Sequence, residues 1–224
     1  FGELPFEKAS EYLGILLTGW LTDDIVKNFQ ALQIPTVIVG NYRLETPVPS
    51  VSNDMEQLTC RLVEHFAGRG ERRIAFWGGD PTYWTLQEAQ AGYIRGMKKA
   101  GLPWDGLIME ADSLTPCRRL RNFLDREHSV DVFILELQAF YEYCMVFGED
   151  PAIGMPRFGV LPLLPSRTYE QGKNIFFGDF AGNIDLIAGE ILLKNFSGNE
   201  PLKSVVLPPV LHGIDDDLDQ FTIL

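Results

Sequence analysis

The side chains that carry most enzyme chemistry are present in this sequence but are not arranged for catalysis. Three histidines, His65, His128 and His212, stand far apart, and none has an Asp, Glu or Cys neighbour at metal-ligand spacing. Carboxylates occur in clusters, but no pair is singled out for acid and base roles. The sequence contains no GxGxxG motif, no Walker A loop and no GxSxG elbow. We therefore predict a protein that is not an enzyme and holds no metal or cofactor.

Aromatic side chains that follow predicted strands are the clearest sign of a binding site. Trp20 follows an apolar run at 13–17, Tyr83 and Trp84 follow one at 73–77, and Phe180 follows one at 174–177. Ligands of open parallel sheets bind beyond the carboxyl ends of the strands, where these rings would line a cleft. The alternative, that Trp20 and Trp84 only pack on the sheet edge, is equally compatible with the sequence.

Composition sets the class of protein. The 224 residues are 46% apolar and 22% charged, which is typical of a globular chain with a sizeable core. The net charge of −12 provides no basic surface for a nucleic-acid backbone. Three widely spaced cysteines, Cys60, Cys117 and Cys144, suit reduced thiols in a cytoplasmic protein. No apolar run is long enough to span a bilayer, so we predict no membrane association.

Hydrophobic periodicity predicts an alternation of strands and helices. Short continuous apolar runs, typical of strands buried on both faces, occupy 13–17, 35–39, 73–77, 107–110, 130–135, 158–161, 174–177 and 202–207. Helical spacing occurs at 23–32, 55–66, 93–101, 120–124, 141–147 and 184–192, and Gly101 is placed to end its helix in the left-handed conformation. Such alternation requires crossover connections and mostly parallel sheets flanked by helices. The predicted fold class is α/β.

Several segments, in order over nearly the whole chain, together resemble the effector-binding region of the lactose-repressor (LacI/GalR) family of transcriptional regulators. They are GILLT at 14–18, IPTVIV at 34–39, VSND at 51–54, GRGERRIAFWGG at 68–79, AGYIRGMKKAG at 91–101, VDVFI at 130–134, LIAGEILL at 186–193 and VVLPPVL at 205–211. The segment at 68–79 and its spacing to that at 91–101 carry most of the resemblance.

The resemblance implies a two-lobed, periplasmic-binding-protein-like fold with the chain crossing between lobes near Gly70, Gly178 and Gly198. The N-terminal lobe would comprise residues 1–70 and 179–199, and the C-terminal lobe residues 71–178 and 200–224. In the family the N-terminal lobe has a further strand, helix and strand that have no counterpart here, so we expect this lobe to be incomplete. The family also carries an N-terminal helix-turn-helix that binds DNA, and it forms homodimers.

The resemblance also suggests where an effector would bind. The positions that match family contact positions, together with Trp84 beside them, are Thr18, Trp20, Tyr83, Trp84, Thr85, Leu137, Gln138, Leu164 and Phe180. Where the family places sugar-binding Arg and Asp residues, this chain has Ala89, Leu164 and Gly40, and where it places Asn-Asp, this chain has Leu137-Gln138. Unpaired buried polar groups of a sugar would each cost about 1–3 kcal/mol in such a pocket. We predict an effector more apolar or aromatic than a sugar.

The predicted function is that of an effector-binding and dimerisation module in a LacI-type repressor or activator of the cytoplasm, with DNA contacted only through a separate N-terminal domain. Binding of a small molecule between the lobes would favour one lobe arrangement and so change the affinity for DNA. A solute-binding receptor of a transport system with the same lobes is the alternative. The segment upstream of Phe1 distinguishes the two, because a regulator has a helix-turn-helix there and a receptor a secretory signal.

Overall fold

The computed structural model describes residues 12–79, 82–110, 122–123, 130–136, 139–140, 157–161, 175–198 and 200–212. Its strands are β1 (Ile15–Leu17), β2 (Thr36–Val39), β3 (Ser50–Asn53), β4 (Ile74–Gly79), β5 (Ile108–Glu110), β6 (Val132–Glu136), β7 (Arg157–Leu161), β8 (Ile175–Phe180), β9 (Val205–Leu207) and β10 (Pro209–His212). Its longer helices are α1 (Asp23–Gln30), α2 (Met55–Gly68), α3 (Trp84–Ala100) and α4 (Ile184–Phe196). This order confirms the predicted α/β class. The predicted helix at 141–147, most of that at 120–124, Cys117, Cys144 and His128 lie outside the described residues.

The chain divides into two compact units. Unit 1 comprises Phe1–Asp54 and Phe180–Pro208, and unit 2 comprises Met55–Asp179 and Pro209–Leu224. In chain order the boundaries between the units follow residues 54, 179 and 208. The physical reason is pairing: α2 packs along α3 within unit 2, and β9 pairs with β3 within unit 1.

Unit 1 is built on a four-stranded sheet in the order β1-β2-β3-β9, with every neighbouring pair parallel. All four residues of β2 are buried, as its continuous apolar run predicts. On one face, Leu17 and Ile38 pack with Val26 of α1. On the other, the backbone of Gly14 lies so close to Leu192 of α4 that a Cβ there would be 2.9 Å from its Cδ2.

Strand β3 was not predicted, because its sequence Ser-Val-Ser-Asn was interpreted as the start of the following helix. It is too short and too polar to stand out by hydrophobicity. Its position is fixed instead by parallel pairing on both sides, with β2 and with β9, which is about 150 residues away in sequence. Only such a tertiary contact makes this segment a strand.

Unit 2 contains a six-stranded sheet in the order β10-β8-β7-β6-β4-β5, with parallel pairs from β5 through to β8. Phenylalanines fill one of its cores: Phe123 meets Phe133 edge-on at 5.6 Å between ring centroids, and Phe140 meets Phe158 at 5.3 Å. Tyr93 of α3 is fully buried and stacks on Phe76 at 5.1 Å. Continuous apolar strands and aromatic packing thus hold β4, β6 and β7 at the centre of the unit.

Helices α2 and α3 pack at unusually close range because α3 has glycines at the contact. A Cβ on Gly92 would lie 2.1 Å from the carbonyl oxygen of Glu56, and one on Gly96 would lie 2.7 Å from Cβ of Val63. Helix α3 ends at Gly101, whose φ of 66° is the left-handed conformation predicted for it. The ion pairs Arg95–Glu56 (2.6 Å) and Lys99–Glu64 (2.9 Å) flank the contact at the surface.

Candidate functional site

At the carboxyl edge of the unit 1 sheet, hydrogen bonds join the loops that follow neighbouring strands. After β1 the chain turns at Gly19, whose φ is 88°, and its carbonyl oxygen accepts a hydrogen bond of 2.8 Å from the Tyr42 hydroxyl. Tyr42 follows β2 and also lies against Gly40, where a Cβ would be 2.9 Å from the ring. Because Tyr42 joins the loop after β2 to the loop after β1, it holds the ends of two adjacent strands at a fixed spacing.

Along the same edge, the side chain of Asn41 after β2 is hydrogen-bonded to the backbone of Asn53 at the end of β3. Asn41 donates from Nδ2 to the carbonyl oxygen of Asn53 at 2.6 Å and accepts at Oδ1 from its backbone N–H at 3.1 Å. The N–H of Asp54 then donates to the carbonyl oxygen of Leu207 at the end of β9, at 3.1 Å. The four strand ends of unit 1 are therefore connected in series by hydrogen bonds, which gives a rigid platform for a ligand.

Two of the predicted site residues stand on this platform. Thr18 is exposed, and Trp20 leaves 66% of its surface exposed. A tryptophan this exposed at the end of a parallel strand presents a flat apolar face and an N–H donor to solvent. The ring of Trp20 is therefore accessible at this edge of the sheet.

The carboxyl edge of unit 2 presents three more predicted residues at the start of α3. Tyr83 takes the N-cap position, where its side chain makes no capping hydrogen bond and remains 55% exposed. Trp84 is half-buried, and its indole Nε1 donates to Glu88 at 2.9 Å. Thr85 is also half-buried beside them. Among the predicted site residues of unit 2 that the structure describes, Tyr83 is thus the most accessible, while Trp84 bonds to its own helix.

Of the remaining predicted site residues, one is buried and three lie outside the described residues. Phe180, at the end of β8, is only 8% exposed, so it offers little surface to a ligand. Leu137, Gln138 and Leu164 lie outside the described residues. Sequence reasoning missed Asn41 and Tyr42, although both follow a predicted strand directly; the carboxyl-end rule applied to β2 would have found them.

A separate surface depression of about 440 Å³ lies at the opposite, amino edge of the unit 1 sheet. It is lined by Gln30, Gln33, Ile34, Pro35, Thr36, Val48, Pro49 and Leu202. The Gln30 amide is already bonded to the carbonyl oxygen of Pro47 at 3.0 Å, and no charged side chain lines the depression. It lacks the convergent polar groups of a small-molecule site.

The electrostatics of the described residues indicate structural rather than catalytic roles. The hydroxyl and amide of Thr46 lower the pKa of Asp23, at the start of α1, and burial raises the pKa of Tyr93 in the unit 2 core. Asp23 is held by the loop after β2, and Tyr93 is enclosed in the core. Within the described ranges no three His, Cys, Asp or Glu side chains are grouped as metal ligands. No helix in the same part of the chain is long and apolar enough to cross a membrane.

Two α/β units, each built on a sheet of mainly parallel strands, are the architecture of the effector-binding region of LacI-family regulators. Solved structures of such regulators have the same fold as this chain. The chain superposes on a LacI-family regulatory protein from Chloroflexus aggregans with a TM-score of 0.74 at 19% identity, covering 92% of this chain and 77% of that one. It superposes on the transcriptional regulator CelR in its cellobiose complex with a TM-score of 0.67 at 21% identity, covering 92% and 68%. The periplasmic-binding-protein-like fold is therefore confirmed.

Sequence comparison points to the same class of protein. The chain is 35% identical over 107 residues to catabolite control protein A of Streptococcus mutans, a stretch that spans 46% of this chain and 32% of that protein. It is 29% identical over 93 residues to the maltose regulon regulatory protein MalI of Escherichia coli, spanning 41% and 27%. No protein-family model matches the chain. The chain thus resembles LacI-family regulators in both sequence and fold, as its motifs indicated, and these relatives are regulators rather than enzymes.

Proposed function

We propose that this chain is the effector-binding and dimerisation module of a LacI-type transcriptional regulator that acts in the cytoplasm. The observation that carries the proposal is the agreement of the fold over 92% of the chain with LacI-family structures. The module binds a small molecule, and a separate N-terminal domain contacts DNA. The net charge of −12 is consistent with this division of labour, because the module itself need not hold a polyanion.

The effector binds in the cleft that the family fold implies, against the carboxyl edges of both sheets. Trp20 and Tyr83 are its main aromatic contacts, supported by their exposures of 66% and 55%. Binding favours one arrangement of the lobes, and DNA affinity changes because the DNA-binding heads of a dimer are respaced.

The effector is more apolar or aromatic than a sugar. Charged groups that would hold sugar hydroxyls are replaced at two described positions, by Gly40 after β2 and by the fully buried Ala89 in α3. An exposed indole and phenol remain, and both favour flat ligands with few hydroxyls. The competing expectation, a sugar effector, comes from the neighbour solved with cellobiose.

Calorimetric titration of the purified chain with indole, 4-hydroxybenzoate and cellobiose distinguishes an aromatic effector from a sugar effector. We expect the aromatic compounds to bind, and Trp20→Ala and Tyr83→Ala each to weaken that binding by about tenfold or more. Trp104→Phe is the matched control, because Trp104 lies before the amino end of β5 and packs on Lys98. Tight binding of cellobiose alone, or affinities that neither variant changes, would contradict the assigned contacts.

The regulatory role is tested on the full-length natural protein. Its intact mass and N-terminal peptides establish whether a segment precedes Phe1 and, if so, of which kind. A helix-turn-helix supports the regulator, and a cleavable secretory signal would make the protein a transport receptor instead. With a helix-turn-helix present, DNA footprinting with and without the bound aromatic compound then measures the change in DNA affinity.

A further inference from the structure

Trp20 lies in a short loop whose two ends are both anchored. The loop joins β1 to α1, and it follows Leu17, a buried member of the unit 1 core. Leu21 packs against the same core, and Thr22 caps α1 by accepting a hydrogen bond of 3.4 Å from the N–H of Ile25. Between these anchors, the direction of the Trp20 side chain depends on the backbone just before it.

The Tyr42 hydroxyl fixes the peptide group that precedes Trp20. It donates a hydrogen bond of 2.8 Å to the carbonyl oxygen of Gly19. This carbonyl group and the N–H and Cα of Trp20 belong to one planar peptide unit. Gly19 itself supplies no side chain, and apart from its chain neighbours a Cβ there would meet no described atom within 4 Å. The plane from which the indole of Trp20 projects is therefore set by the hydroxyl of Tyr42.

The Tyr42 ring is in turn accommodated by Gly40. The ring packs against the unit 1 core, and the backbone of Gly40 lies directly beside it. A Cβ on Gly40 would be 2.9 Å from Cε2 of Tyr42 and 3.3 Å from its hydroxyl oxygen. Gly40 also has a φ of 122°, which residues other than glycine rarely adopt. Gly40 and Tyr42 thus form a matched pair, since a larger residue at position 40 displaces the hydroxyl from Gly19.

The Tyr42–Gly19 hydrogen bond joins two parts of the protein and needs no ligand to form. A side chain or loop that is mobile before binding must be ordered when a ligand binds, and this ordering lowers the affinity. For one side chain the loss is roughly two- to tenfold. Because Tyr42 orders the loop in advance, a ligand that contacts Trp20 avoids this loss.

We propose that Tyr42 is a positioning residue for effector binding, which orients Trp20 through the carbonyl oxygen of Gly19 and does not itself contact the effector. The proposal rests on the proposed function, which makes Trp20 an effector contact. The orientation of Trp20 rests only on contacts within unit 1, so it is tested separately from ligand binding.

Fluorine NMR of the chain labelled with 5-fluorotryptophan tests the orientation of Trp20 without a ligand. The four tryptophans give four resonances, each assigned by replacing that tryptophan with phenylalanine. Tyr42→Phe keeps the ring and removes the donor. We expect the Trp20 resonance alone to narrow by about 30%, as the order parameter of its loop falls from about 0.85 to about 0.6. A Trp20 resonance that Tyr42→Phe leaves unchanged would overturn the proposal.

Tyr93→Phe is the matched control for the loss of a hydroxyl group. Tyr93 donates to the carbonyl oxygen of Ile74 over the same 2.8 Å, but it is enclosed in the core of unit 2. Its substitution lowers stability without touching the loop of Trp20, so the Trp20 resonance should keep its width. Equal narrowing in both variants would show a general loss of order and would overturn the specific role of Tyr42.

Gly40→Ala tests the pairing of Gly40 with Tyr42. The added methyl group displaces the ring, so the Trp20 resonance should narrow as it does in Tyr42→Phe. In a chain that already carries Tyr42→Phe, Gly40→Ala should narrow it no further, because the two substitutions break the same hydrogen bond. Additive narrowing would refute the pairing. Circular dichroism verifies that each variant keeps the wild-type secondary structure.

Calorimetric titration with 4-hydroxybenzoate measures the consequence for binding. Tyr42→Phe should weaken binding by about two- to tenfold, and Tyr93→Phe should not change it. Because Tyr42 acts through Trp20, adding Tyr42→Phe to Trp20→Ala should weaken binding no further. A further loss in the double variant would make Tyr42 a direct contact and overturn its positioning role.

The two measurements separate the positioning role from the proposed function. Binding that Trp20→Ala weakens but Tyr42→Phe does not would overturn the positioning role and leave the proposed contact in place. If the wild-type chain binds neither 4-hydroxybenzoate nor indole, the aromatic effector of the proposed function is overturned, and with it the role of Tyr42 in binding. A narrowed Trp20 resonance then still supports the link from Tyr42 to Trp20.

Discussion

The close contact between α2 and α3 makes Gly92→Ala the sharpest test of the unit 2 fold. The added Cβ would lie 2.1 Å from the carbonyl oxygen of Glu56 and 2.9 Å from its carbonyl carbon. Ordinary contact begins at 3.4 Å, so the shortfall is 3.4 − 2.1 = 1.3 Å. Both obstructing atoms are backbone, which cannot rotate away as a side chain would. The helices must therefore separate or bend.

The expected loss of stability follows from that separation. Overpacking of a well-filled core costs about 3 kcal/mol at the upper end of its usual range. Alanine returns about 1 kcal/mol through its better helix propensity. The net loss is therefore about 2 kcal/mol, which lowers the melting temperature by about 4–8 °C for a chain of this size.

Urea unfolding followed by tryptophan fluorescence measures this loss, because Trp77, Trp84 and Trp104 all report on unit 2. Gly189→Ala is the matched control: it is the same substitution inside a helix, but an added Cβ there would meet no described atom within 4 Å beyond the backbone of its own helix. At protein concentrations too low for association, it should stabilise by up to about 1 kcal/mol. If Gly92→Ala instead matches or exceeds the wild-type stability, the close packing of α2 on α3 is refuted.

Three further substitutions test local features of the fold. Tyr93→Phe removes the hydrogen bond to the buried carbonyl oxygen of Ile74 (2.8 Å) and should lower the free energy of unfolding in urea by about 1–3 kcal/mol. Burial raises the pKa of Tyr93 above its ordinary 10.0, so the wild-type chain should lose stability as the pH rises past 10. The Tyr93→Phe variant should lack this part of the loss. Asp23→Asn should reduce the loss of stability at acid pH, because Thr46 lowers the pKa of Asp23. The stability that the ionised Asp23 contributes is present above pH 3.8 and is lost as the pH falls below that value. If the variant loses as much stability in acid as the wild-type chain, the Thr46 contact is refuted. Gly101→Ala should lower thermal stability by about 1 kcal/mol, because its φ of 66° is unfavourable for alanine, and an unchanged melting temperature would contradict the left-handed cap.

Much of the fold was predictable because burial on both faces leaves a local pattern. The continuous apolar runs at 35–39 and 130–135 correspond to β2 and β6, whose residues are almost all buried. The left-handed cap at Gly101 was predictable for a similar reason, since glycine alone adopts that conformation without strain. Order and spacing of such patterns also carried the family resemblance, which the structural comparisons then supported.

The candidate site was only partly predictable. Trp20 and Tyr83 follow strands in the sequence, so their place at carboxyl edges could be expected, but their exposure could not. Phe180 follows a strand in the same way and is buried. The pattern of a single segment says where a strand ends; it does not say what packs on the residue beyond it.

By itself the sequence determined most strands and helices, because each leaves a local pattern of apolar residues. The order of those patterns along the chain then determined the α/β class and the resemblance to LacI-family regulators. Tertiary structure alone decided the rest. It made Ser50–Asn53 a strand through pairing with Val205–Leu207, set the boundary between units at Asp54, and buried Phe180 while leaving Trp20 exposed. These features depend on contacts between residues far apart in the chain, and a local sequence pattern does not show the free energy of such contacts.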